Sequence, residues 1–367
     1  MFLAAFTFLF SMQAAPPLIP AIIKDFNLSH TAVAGLMLFV ALPAMVLSIP
    51  GGFLADRYGN KRLSIIGLGL ICLGTLITAV SPSFALLQSG RAIAGVGGAL
   101  ILSAAPPLLF QWFSGKELGL AIGIWAINMP LATVLSFNLL GRVEIVYDWR
   151  AGFWIATVLT AVVLLIFIIF TEEKKVARAT FSLATLKTVP IWLMAFSWGS
   201  FNVAVLSLTT WGKTLFMDFK GFSPVYADFL SGLIMLLAFT TPLAGYLSGK
   251  LDRRRPLIIL STVGMTVCLA LLPGIGNAPT VLLLVVLGLF SALTPPCIFA
   301  LPPELVGPEN AGLGFGVLNT ALNLGIVLGP LLVGLVLDIT HSEALVFYTM
   351  AFFTALGGLF AYLLKVK

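Results

Sequence analysis

Long apolar runs, each close to the length needed to cross a bilayer, alternate with short polar breaks along the whole chain. They fall near residues 1–23, 31–54, 63–80, 84–109 and 118–140, with a sixth between Arg150 and Thr171. After one longer polar segment, six more follow near 191–211, 225–247, 257–275, 281–301, 313–337 and 344–364. A spanning helix takes about 20 predominantly apolar residues, so the pattern predicts an all-α membrane protein of twelve transmembrane helices. A cleaved leader is not expected for the first run, because no Lys or Arg precedes its apolar core. Pro16, Pro17 and Pro20 should kink or loosen its second half.

The polar breaks also repeat. Within residues 51–62 stand Gly52, Asp56, Arg57, Gly59, Lys61 and Arg62. Their four charges cannot lie in hydrocarbon, so the stretch reads as a tight loop at a membrane surface, and its excess of cations marks the cytoplasmic side. Gly52 and Gly59 suit a turn between closely packed helices. A second basic turn spans 245–255, and Gly52 and Arg62 lie 193 residues before Gly245 and Arg255. The same offset carries Gly95 onto Gly288, and Gly119 and Gly123 onto Gly312 and Gly316. The chain therefore reads as a tandem duplication: a six-helix bundle at 1–170, a cytoplasmic linker at 171–190 and a second six-helix bundle at 191–367.

Composition agrees. The 367 residues are 60% hydrophobic and 9% charged, against roughly 25% charged in soluble domains. The net charge of +6 is spread over short loops, which favours topology as its cause over nucleic-acid binding. Fourteen of the twenty Lys and Arg fall in the loops and tail assigned to the cytoplasmic side, five on the other side, and Arg91 within a span. Both termini are thus expected in the cytoplasm. Cys72, Cys268 and Cys297 all fall within spans, His30 and His341 are far apart, and no glycine-rich lysine loop occurs. No metal, cofactor, disulfide or catalytic cluster is expected.

The pattern Gly-x-x-x-Asp-Arg-x-Gly-x-Lys-Arg at 52–62 resembles the signature loop of the major facilitator superfamily. Arg91 with Gly95 and Gly97, and the Asp148-Trp149-Arg150 entry to the sixth helix, also look like that family. The resemblance implies two bundles related by an axis along the membrane normal, a central cavity, and rocking between outward-open and inward-open states. It implies a cytoplasmic gating loop of Gly52, Asp56, Arg57, Gly59, Lys61 and Arg62. It also implies cavity-lining roles for helices one, five, seven and eleven, which carry Gln13, Asn128, Asn202, Asn319 and Asn323, with Trp198 and Trp211 as an aromatic wall.

Arg91 is the sharpest single residue. A charge inside a span costs at least about 2.5–3.5 kcal/mol and normally faces the bundle interior. Gln88 lies three residues away on the same face. The two are read as contacts to a substrate anion or a coupling ion, against a structural alternative in which the guanidinium ties helices together through backbone carbonyls. The Gly-x-x-x-Gly-Pro step that drug–proton exchangers of the family carry in the fifth helix is Ala132, Ser136 and Phe137 here, and it occurs instead in the eleventh as Gly325, Gly329 and Pro330. The only acidic residue placed inside a span is Asp228, one turn into the eighth helix. The expected function is therefore secondary or facilitative transport of a small polar, anionic metabolite by a monomer, with a proton or other ion as a coupling partner and lipid as surroundings. Proton-coupled export of hydrophobic compounds and a non-transporting sensor or scaffold on the same fold are the alternatives.

Overall fold

In the computed structural model, residues 1–112, 124–125, 127–171, 187–251, 254–307 and 311–364 are described. Among them there is no strand, and twelve helices are long and apolar enough to cross a membrane. They are α1 (Phe2–Phe26), α2 (His30–Tyr58), α3 (Asn60–Val80), α4 (Phe84–Trp112), α5 (Asn128–Val146) and α6 (Trp149–Phe170). The remainder are α7 (Val189–Asp218), α8 (Pro224–Tyr246), α9 (Arg254–Gly274), α10 (Asn277–Val306), α11 (Ala311–Thr340) and α12 (Glu343–Leu363). The loop at 113–123, most of the linker at 172–186, and Asp252, Arg253, Lys365 and Lys367 lie outside the described residues.

Two compact units divide the chain, Met1–Arg178 and Ala179–Lys367, with α1–α6 in the first and α7–α12 in the second. The same pairings recur in both. In unit 1, α3 packs on α4 and α6, α2 on α4, and α1 on α5 and α6. In unit 2, α9 packs on α10 and α12, α8 on α10, and α7 on α11 and α12. Duplicated glycines make part of this possible. A Cβ on Gly95 would lie 2.3 Å from the Val40 carbonyl oxygen of α2, and one on Gly288 would lie 2.5 Å from Leu237 of α8. Small residues let helix backbones approach where lipid gives no hydrophobic drive to associate.

The end of each unit opposite its own basic turn, 51–62 in unit 1 and 245–255 in unit 2, is closed by a three-part clasp. In unit 1, Asp25 at the end of α1 accepts from Trp149 Nε1 at 3.0 Å and pairs with Arg150 at 3.1 Å. Arg150 donates onward to the Ser81 carbonyl past α3. In unit 2, Glu343 occupies the place of Arg150, 193 residues on. It pairs at 3.1 Å with Lys220, which donates to the carbonyls of Leu272 and Ile275 at 3.0 and 2.9 Å. The geometry repeats while the charges are exchanged. An acid suits the first turn of α12, and a cation suits the closing carbonyls of α9, because both answer the helix dipole.

The first helices of the two units differ. α1 is two segments, Phe2–Gln13 and Ala15–Phe26, that meet at Ala14. α7 runs unbroken for 30 residues and is buried on every face from Phe201 to Phe216. It continues past the expected stop near 211. Lys213 therefore sits inside the helix and not in a loop, because a carboxylate meets it there.

Candidate functional site

The break in α1 follows from its prolines. Pro16 and Pro17 have no N–H to give the carbonyls of Met12 and Gln13 four residues earlier. Arg91 of α4 fills the gap. Its Nη1 donates to the Ser11 carbonyl at 2.7 Å, its Nη2 to the Met12 carbonyl at 3.0 Å, and its Nε to the Leu36 carbonyl of α2 at 3.2 Å. The side chain is 1% exposed, and its guanidinium lies 5.8 Å from the Phe153 ring centre. Arg91 thus ties three helices through the backbone. Gln88, a turn away and half-buried, packs against Gly35 of α2, where a Cβ would come within 2.6 Å of its Nε2.

Beside that break α5 is irregular as well, with a π-helical turn over Ser136–Leu140. Such bulges widen the backbone and cluster at functional sites. Gln13 Nε2 donates to Thr133 Oγ1 at 2.9 Å, and Ser136 Oγ donates to the Phe10 carbonyl at 3.4 Å. The remaining polar atoms here are unsatisfied. Ser11 Oγ, Gln13 Oε1, and both Nδ2 and Oδ1 of Asn128 are buried with no hydrogen-bond partner among the described residues. Gln13 and Asn128, far apart in sequence, thus stand on helices packed against each other.

Unit 2 brings α7 and α11 together through the glycine step foreseen in the sequence. A Cβ on Gly325 would lie 2.7 Å from Asn202 Cβ, and one on Gly329 would lie 2.5 Å from the Val203 carbonyl oxygen. The step is a packing seam for α7. Asn202 Nδ2 donates to the Trp198 carbonyl at 2.7 Å, and Asn323 Nδ2 to the Asn319 carbonyl at 2.9 Å. Trp198 stacks on Phe201 and meets Phe299 of α10 edge-on, both at 5.2 Å between ring centres. Trp211 lies apart from them and donates its Nε1 to the Pro330 carbonyl at 2.9 Å.

A feature missed in the sequence is the buried ion pair of Lys213 and Asp228, 3.2 Å apart with side chains 2% and 3% exposed. The sequence placed Asp228 correctly, one turn into α8, but assigned Lys213 to a loop. A longer reading of the apolar run past Trp211 could have found it, since Leu215 and Phe216 continue the helix.

At the other end, Gly59 holds φ at +88° between α2 and α3, a conformation that favours glycine. The stretch expected as a loop is helical up to Tyr58, with Gly59 alone between the two helices: Gly52, Asp56 and Arg57 form the last turns of α2, and their side chains lie outside the described residues. Lys61 donates to the Thr171 carbonyl at the end of α6, while Arg62 borders an apolar recess with Leu54, Tyr58 and Ile66. Unit 2 repeats the arrangement: Arg255 donates to the carbonyls of Ala361 and Tyr362 at the end of α12, and Arg254 pairs with Glu304. These cations cap helix C-termini, where they complement the dipole. Asn60, 2% exposed with both amide atoms unpaired among the described residues, joins the stretch as a residue the sequence did not single out. No group of three His, Cys, Asp or Glu able to hold a metal occurs among the described residues.

Comparison with known proteins agrees with this architecture. Residues 1–240 and 221–367 match the Major Facilitator Superfamily. The chain belongs to this family. It is similar to the lysosomal dipeptide transporter of Danio rerio, 24% identical over 346 residues covering 87% of this chain and 75% of that one. It is also similar to the multidrug resistance protein Stp of Mycobacterium tuberculosis, at 25% identity with 89% and 73% covered. The 3-(3-hydroxy-phenyl)propionate transporter of Escherichia coli is 28% identical, with 78% and 73% covered. The protein is an integral multi-pass membrane transporter.

Proposed function

We propose that the protein carries a small polar metabolite bearing an anionic group, by alternating access, with Gln13 and Asn128 among the residues that hold it. The observation that carries this reading is the set of unpaired buried amide and hydroxyl atoms where the broken α1 meets the π turn of α5. Each unsatisfied polar group in a membrane interior costs several kcal/mol, and a bound polar molecule with donors and acceptors removes that cost. Interrupted helices are where transporters of this kind expose backbone and polar side chains to their cargo.

In this reading Arg91 positions α1, since Nε, Nη1 and Nη2 are all engaged with backbone carbonyls. The anion preference is supported instead by the relatives, whose named dipeptide and propionate cargoes both bear carboxylates. The multidrug relative favours the rival reading, export of hydrophobic compounds. The neutral hydrogen-bonding atoms of Gln13 and Asn128 weigh against it. From the excess of cations in the 51–62 stretch we infer that this stretch, and both termini with it, face the cytoplasm.

Purified protein in liposomes, offered a dipeptide, glucuronate and 3-(3-hydroxyphenyl)propionate, tests the reading. Asn128→Ala and Gln13→Ala should each lower uptake of the accepted cargo by about tenfold, the value of one good hydrogen bond in a buried site. Normal uptake by both variants would remove them from the binding surface. For orientation, a cysteine at the exposed Tyr58 should react with an impermeant thiol reagent from the cytoplasmic side alone, and one at the exposed Ser83 from outside.

A further inference from the structure

Buried tryptophans normally find an acceptor for the indole N–H, and in this protein two of them do. Trp149 donates to Asp25 at 3.0 Å and Trp211 to the Pro330 carbonyl at 2.9 Å. Trp198 is 5% exposed, and its Nε1 has no hydrogen-bond partner among the described residues. It is placed in an aromatic group. Phe201 stacks on it, Phe299 abuts it, and Phe299 in turn lies 6.4 Å from Phe315 of α11. Phe299 is the accessible member, at 42% exposure.

The neighbourhood holds amides as well as rings. Asn202 follows Trp198 by four residues on α7, and Asn319 and Asn323 follow Phe315 at the same spacing on α11. Residues four apart lie on one helix face, and the two helices run side by side with Gly325 against Asn202. Gly199 faces Ala321 and Asn202 faces Gly325, so Phe315 stands about one turn before Trp198 along this pair of helices, and Asn323 stands level with Asn202 one turn beyond it. Of the three buried indoles among the described residues, Trp198 is the one whose N–H finds no acceptor there.

We propose that Trp198, Phe201, Phe299 and Phe315 form a subsite for an aromatic ring carried next to a carboxylate or carbonyl oxygen, with the Trp198 N–H donating to that oxygen. The ring packs on Phe299 and Phe315, and the polar part of the ligand extends toward Asn202 and Asn323. Aryl carboxylic acids and dipeptides with an aromatic side chain share this chemistry. The proposal rests on the transport reading and names the class of cargo within it.

The test is binding to the full-length purified protein, followed by calorimetry, with four probes: 3-(3-hydroxyphenyl)propionate, phenylalanyl-alanine, alanyl-alanine and glucuronate. One or both aromatic probes should bind at least about tenfold more tightly than the other two, as stacking and one hydrogen bond together allow. Which of the two aromatic probes wins separates an aryl acid from a peptide. Trp198→Phe, which keeps a ring and loses the N–H, should weaken binding of the favoured aromatic probe by about tenfold, the value of the lost hydrogen bond. Phe299→Leu, at a half-exposed position, should reduce it as well and serves if Trp198→Phe fails to fold. Equal binding of aromatic and non-aromatic probes, or wild-type affinity in both variants, overturns the subsite. Liposome uptake separates this from the wider reading: accumulation of a non-aromatic probe alone sinks the subsite and keeps transport, whereas binding without accumulation of any probe sinks transport.

Discussion

The first helices of the two units solve one problem in two ways. Each unit buries a cation near its leading helix. In unit 1 the cation is Arg91, reaching from α4 to carbonyls that Pro16 and the break at Ala14 leave open. In unit 2 it is Lys213, on the unbroken α7 itself, matched to Asp228 of α8. A guanidinium with a planar fork of donors serves several carbonyls at fixed positions, whereas an ammonium is a point charge that suits one carboxylate. The lesson is that unit 1 has made its cation part of the backbone scaffold, while unit 2 holds its cation in a buried ion pair. The duplication preserved the helix pairings but left the polar interior of each unit free to diverge.

The largest effect is expected at Arg91. Arg91→Ala leaves the Ser11 and Met12 carbonyls unpaired, at about 1–3 kcal/mol each, and should lower the thermal unfolding midpoint by on the order of 10 °C. Arg91→Lys should recover only part of it. Pro16→Ala returns an N–H to the Met12 carbonyl, so the double variant Pro16→Ala/Arg91→Ala should lose less than the two single losses added together. Strict additivity in the melting data would separate the arginine from the break and end the first half of the comparison.

Next comes the ion pair. Lys213→Met or Asp228→Leu alone strands a buried charge and should cost about 3–5 kcal/mol, while the double replacement should be close to wild type in stability. If the double variant is no better than either single one, the two residues are not energetically a pair. Its transport then sharpens the contrast: a stable double variant with full uptake would show that the ion pair has no part in carriage.

The smallest effects belong to the clasps. Glu343→Gln breaks a largely buried pair with Lys220, whose side chain is 7% exposed, and should cost about 1–2 kcal/mol. Asp25→Asn loosens an ion pair with side chains 31% and 42% exposed, for which about 0–1 kcal/mol is expected. Its Trp149 contact survives as a neutral hydrogen bond. Equal shifts in unfolding midpoint at the two positions would argue against the burial difference between the units.

The twelve spans, the duplication and the basic stretch at 51–62 were legible in the chain because each depends on local composition. A run of about 20 apolar residues has few ways to exist in water, and a cluster of charges has few ways to exist in lipid. Pro16 and Pro17 likewise announced the break in α1, since a missing N–H is a property of the residue itself. What the chain could not say was which group would answer the freed carbonyls, because Arg91 and Met12 are 79 positions apart and only packing makes them neighbours. For the same reason Arg91 stayed open between an anion contact and a tie to backbone carbonyls, Lys213 read as a loop residue, and Trp198 and Trp211 were grouped as one aromatic wall. The tertiary structure alone decides which buried polar atoms find partners. It commits Arg91 to the backbone, gives Lys213 a carboxylate, pairs the indoles of Trp149 and Trp211, and leaves Asn128 and Trp198 without a hydrogen-bond partner among the described residues. A hydrogen bond needs its partner within about 3 Å, and that is a condition on folded space which no spacing along the sequence states.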